Sequence, residues 1–170
     1  NPDGFLARLG ITTTAALGAI AIGLIGIFNI AGAITAGALG NKYQKKYLLT
    51  GIYAGRTLIA AWFILMPMTP LTVLVFSVVM GTLWLATVPL TSGLVAYLFG
   101  LRYMGTLYGL VFFSHQLGSF LGVWLGGVLH DIFGSYTTVW WVVVGTGLLT
   151  TVVHLPISEK PRPVPAATAT

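Results

Sequence analysis

Few side chains in this sequence can bind a solute or move a proton, and the most telling of them lie inside apolar runs. They are Asn29, Arg56 and the consecutive Ser114, His115 and Gln116. Arg56 is about nine residues into its run, roughly 13 Å deep at about 1.5 Å per residue. A charge at that depth costs at least about 2.5–3.5 kcal/mol, so it needs a partner. The acids Asp3, Asp131 and Glu159 all lie outside the apolar runs. The partner of Arg56 is therefore a backbone carbonyl, an anionic ligand, or a carboxylate from elsewhere; a paired arginine that braces the fold is the ordinary explanation. Asn29 must also be satisfied, because an unpaired amide in hydrocarbon costs several kcal/mol. Interhelical hydrogen bonding is the usual answer for such a residue, and contact with a solute is the alternative. His115 is the mid-run group whose ordinary pKa lies near neutrality. A neutral imidazole bonded between helices competes with proton coupling as its role. Ser114 and His115 are adjacent, and adjacent helical residues do not face each other, so they make no nucleophile–base dyad. With no cysteine the chain offers no thiol chemistry or cysteine-ligated metal, and three acids with three histidines leave a metal site or carboxylate pair very little to work with. No catalysis, metal or cofactor is expected.

The elements that hold these residues are spans of membrane length. Only 6% of residues are charged and 56% are hydrophobic, where a soluble domain carries about 25% charged residues. Lipid is the solvent such a surface requires. Five spans are predicted, at 13–39, 47–66, 71–99, 106–129 and 137–155, giving an all-α polytopic bundle. The stretch 1–12 reads as the remnant of an extracytoplasmic loop. The Pro-rich stretch 156–170 reads as a disordered cytoplasmic tail. Basic residues punctuate the spans: Lys42, Lys45, Lys46, Arg102, Lys160 and Arg162 fall on one side, and Arg8 on the other with Asp3 and Asp131. That asymmetry makes the basic side cytoplasmic, with the carboxy terminus inside a cell inner (plasma) membrane. The net charge of +5 is explained by these loops, so no nucleic-acid partner is expected. Trp140 and Trp141 suit an interfacial aromatic belt at the outer end of the last span.

Helical spacing assigns faces. In the first span Gly18, Gly26, Asn29, Gly32, Ala33, Ala36 and Gly40 share one broad small face, with Ile20, Leu24, Ile27 and Ile34 opposite. Small faces allow close helix crossings. In the fourth span Gly118, Gly122 and Gly126 form a ridge of the same kind, expected to pack tightly. His115 lies on the ridge side, and Gln116 points about 100° away. If the ridge meets another helix, Gln116 is the better cavity candidate; if the ridge lines the cavity, His115 is.

Several runs resemble the major facilitator superfamily. Gly37-Ala38-Leu39-Gly40-Asn41-Lys42-Tyr43 with Lys45-Lys46 is similar to the basic loop between helices eight and nine of that family, with Asn41 where the family pattern has Asp. The runs 83–92, 102–109 (Arg102 to Gly109), 114–122 (Ser114-His115-Gln116 to Gly122), 134–136 and Trp140-Trp141 resemble bacterial members like the monocarboxylate and oxalate/formate carriers. The resemblance covers nearly the whole chain and aligns its spans with helices eight to twelve of twelve. It implies two six-helix halves that rock about a central site. In such carriers helices eight, ten and eleven touch the path, which points to Asn29, Trp84, Thr87, His115 and Gln116. Arg56, on helix nine, with Asn41 and Lys42, is implied to be structural or charge-pairing. The expected function is a fragment of a secondary active transporter that moves a small solute, organic anions foremost, with or without a proton as symport partner. Its partners are then the lipid bilayer, the missing N-terminal half and the solute. The alternative is a non-transporting structural or assembly subunit of a membrane complex.

Overall fold

The computed structural model describes residues 14–159; the expected 1–12 loop remnant and the tail from 160 onward lie outside the described residues. All regular structure among the described residues is helical. Six helices follow one another: α1 (Thr14–Gly40), α2 (Lys45–Leu65), α3 (Pro70–Trp84), α4 (Thr87–Phe99), α5 (Met104–Phe133) and α6 (Thr137–His154). They make five elements long and apolar enough to cross a membrane, with α3 and α4 together forming the third.

Local chemistry explains the boundaries. Between α2 and α3, Thr69 caps the new helix by accepting from the Thr72 amide at 3.2 Å, and Pro70 occupies a first-turn position where its missing N–H costs nothing. The third expected span, 71–99, is not one helix. Pro89 lacks the N–H that would bond to Leu85, and its ring crowds that carbonyl. The ladder stops at Trp84 and restarts at Thr87. Leu85 instead accepts from the Val88 amide at 3.1 Å, a tighter turn.

α1 packs along α3 and, further on, against α4; α2 packs along α6. The small face predicted for α1 is the face it buries, at Gly32, Ala36 and Gly40. Ile27 and Ile34 on the opposite side are exposed. Gly18 and Gly26 meet no neighbour; beside Gly26 it is Ile25 and Phe28 that face α3. The close approaches of α1 and α3 fall at two separate glycines: a Cβ on Gly32 would overlap the Thr82 carbonyl oxygen, and one on Gly81 would lie 2.8 Å from Ile25 Cα.

Two apolar clusters hold the bundle. One joins Ala36, Leu49, Ala86, Leu90 and Leu94; the other joins Ala60, Met80 and Val144. Phe63, Phe76 and Trp140 stack beside the second, with Phe63–Phe76 centroids 4.3 Å apart and Phe63–Trp140 centroids 5.4 Å apart. The two tryptophans expected in an interfacial belt face different ways. Neighbouring helical residues point about 100° apart, so Trp140 turns into the bundle while Trp141 stays exposed. The start of the expected disordered tail also differs. Ile157 packs on the first cluster, and a Glu159 carboxylate oxygen accepts from the Lys46 amide. That acid sits at the α2 N-terminus, where Lys45 and Lys46 oppose the helix dipole and no first-turn acid helps.

α5 stands apart. It touches only α4 and α6 appreciably, and none of its residues is buried.

Candidate functional site

The break in the third span gathers the first group of chemically able residues. Leu85 would donate its amide back into α3 if the helix continued. It donates instead to Asn29 Oδ1 on α1, at 3.1 Å. Asn29 is thus an interhelical bond of a particular kind, since a side chain from one helix closes the backbone of another where it is discontinuous. Thr87 begins α4 directly after the break, with its Oγ1 3.5 Å from the Trp84 carbonyl. Along α1, one turn beyond Asn29, an open groove of about 410 Å³ runs between Ala33, Ile34, Leu85, Val88 and Pro89. Its walls are apolar, and the interrupted backbone forms part of them.

Arg56 reaches the same break from α2. Its guanidinium carbon lies 4.8 Å from the Trp84 ring centroid and 5.7 Å from that of Tyr53. Among the described residues no carboxylate and no hydrogen bond reaches it. The aromatic faces are the partners the sequence reading did not name. Their magnitude suffices: a desolvated cation–π contact is worth up to about 2 kcal/mol, so two rings offset much of the roughly 2.5–3.5 kcal/mol insertion cost. Tyr53 was legible as the residue three positions back on the same helix face. Trp84 was not, because it arrives from a separate helix. The guanidinium N–H donors stay uncommitted between the two apolar clusters, beside a half-exposed Trp84.

Asn29, Arg56, Trp84 and Thr87 therefore each lie at or against the break, and His115 and Gln116 do not join them. Both are exposed on α5. The His115 ring lies 6.1 Å from that of Phe112, and its carbonyl accepts from Ser119 at 3.0 Å. Ser114 bonds back to the Val111 carbonyl at 2.7 Å. The expected tight packing of the ridge is absent among the described residues. Nothing lies within 4 Å of a Cβ placed at Gly118 or Gly122, and Gly126 would meet only Val139 Cγ1, at 3.7 Å. The physical reason is that no helix runs alongside α5. Asn41 and Lys42 lie exposed in the loop after α1, tied by their amides to the Ala38 and Leu39 carbonyls. Lys42 has no ion pair there; His130–Asp131, at 3.8 Å, is the one such pair among the described residues. No group of three or more metal-ligating side chains forms among the described residues. No family model, curated protein or solved structure matches this chain.

Proposed function

We propose that this chain is part of a secondary active transporter of the major facilitator kind, carrying a small solute with organic anions preferred. The observation that carries the reading is the helix break near the middle of the third span, closed by Asn29 and faced by Arg56 over Trp84. Secondary carriers typically hold their solutes near the bilayer midplane, often where helices are discontinuous. A guanidinium with uncommitted donors in an apolar slab suits a carboxylate. The bare α5, with Ser114, His115 and Gln116 in succession, supports a second helical half that completes the path, and His115 is the residue proposed to couple a proton. The chain's basic end faces the cytoplasm on this reading.

The test is uptake of labelled mono- and dicarboxylates by cells that make the complete carrier, against the same protein with Arg56→Gln. Saturable uptake, lost in the variant, is the expected result. A complete protein that folds, reaches the membrane and takes up no carboxylate at any pH would sink the reading. A second reading, a non-transporting assembly subunit, draws on the same exposed α5. It would be favoured if the chain co-purified with a stable membrane complex and that complex, too, showed no uptake.

A further inference from the structure

One end of the bundle carries cations with which no carboxylate forms a salt bridge among the described residues. Lys45 Nζ lies 5.3 Å from the Tyr97 ring centroid, Lys46 Nζ 4.9 Å from that of Tyr47, and the Arg102 guanidinium carbon 5.4 Å from that of Tyr103. Lys42 stands beside them in the loop after α1. None is in a salt bridge among the described residues, where the one such contact is at the far end, between His130 and Asp131. The nearest acid, Glu159, is engaged by the Lys46 backbone amide. The tyrosines are exposed, at 47% for Tyr97, 58% for Tyr47 and 55% for Tyr103. The Lys45 stem lies in contact distance of Gly93, whose missing side chain leaves it room: a Cβ there would come 3.1 Å from Lys45 Cε.

We infer that this rim of lysine–tyrosine and arginine–tyrosine pairs binds the headgroups of anionic phospholipids in the leaflet it faces. Charge complementarity selects an anion. The arrangement selects a lipid over a free phosphate. The cations are strung around the ends of α2 and α4 and the loop before α5 rather than converging on a cavity, as a small soluble anion requires. Exposed tyrosines at a helix end sit at headgroup depth, so each cation is held where phosphodiesters lie. The inference stands whether or not the chain carries a solute.

Native mass spectrometry of the purified chain, with phosphatidylglycerol and phosphatidylcholine of matched acyl chains, tests it. Preferential retention of phosphatidylglycerol is expected. That preference should fall roughly tenfold or more in Lys45→Gln/Arg102→Gln, persist in Lys45→Arg/Arg102→Lys, and weaken as salt is raised. Equal retention of the two lipids would overturn the inference, as would an undiminished preference in the charge-removed protein with its helicity intact. Displacement of phosphatidylglycerol by inorganic phosphate would overturn it in favour of a soluble-anion site. Should the charge-removed protein fail to fold, the salt series on the unaltered chain decides: a preference indifferent to salt rules the headgroup contact out.

Discussion

An asparagine side chain that takes over a backbone hydrogen bond within a membrane span is expensive to remove, because hydrocarbon offers the amide no other acceptor. Asn29→Ala leaves the Leu85 amide without its acceptor. We expect a loss of about 1–2 kcal/mol, the upper part of the range measured for polar contacts between membrane helices. Thermal unfolding in detergent measures it; Asn29→Ala with unchanged stability would show that water or a shifted backbone serves the amide equally well. Residue chemistry in this chain was partly legible beforehand. The need for partners at Asn29 and Arg56 followed from depth alone. Which partners they found did not. The Leu85 amide donates to Asn29 because the helical ladder breaks off at Trp84, and the Arg56 rings meet only once α2 and α3 lie side by side. Spacing along one chain says nothing of what a neighbouring helix presents.

Helix against helix, the glycines separate true crossings from open faces. Gly81→Leu drives a side chain into the α1 backbone at Ile25. Overpacking of this kind costs about 1–3 kcal/mol, occasionally more, so the isolated chain should lose that much stability or fail to fold. Gly122→Leu extends into open space and should leave the isolated chain at least as stable as its parent, since Leu is the better helix former by up to about 1 kcal/mol. Paired melting curves of the two proteins make the comparison; a reversed order would mean that α5, and not α1 with α3, forms the tight crossing. On the proposed function, the same Gly122 change becomes disruptive once a second helical half is present. Element positions were readable from hydropathy, since length and composition suffice to mark a membrane span. The interruption of the third span was written in Pro89, yet a proline within so long an apolar run is also compatible with a kinked continuous helix. The identical four-residue spacing in α5 and the glycine-rich face of α1 illustrate the limit. Small residues permit a close approach, and the presence of a partner decides whether one occurs.

For the whole molecule, the asymmetry of charge defines two ends and the bareness of α5 defines an open side. Three successive polar residues on a helix sweep about 200° of its circumference, more than lipid can cover without cost. With Gln44→Cys at the basic end and Phe133→Cys at the other, an impermeant thiol reagent added outside intact cells should label position 133 and spare position 44. The opposite pattern would invert the orientation and, with it, the leaflet assigned to the basic rim. That five helices cross, and with which charge bias, was legible from composition; which helix lies exposed was not, because exposure depends on what else is present. The clasp between Glu159 and Lys46 has a consequence for biogenesis. The two residues are 113 positions apart, so the contact cannot form until nearly every residue between the first span and the tail has left the ribosome. α2 leaves the ribosome well before Glu159, with two lysines opposing its own dipole, and receives its compensating carboxylate only later. A nascent protein halted before Glu159 therefore carries an unfinished start to α2.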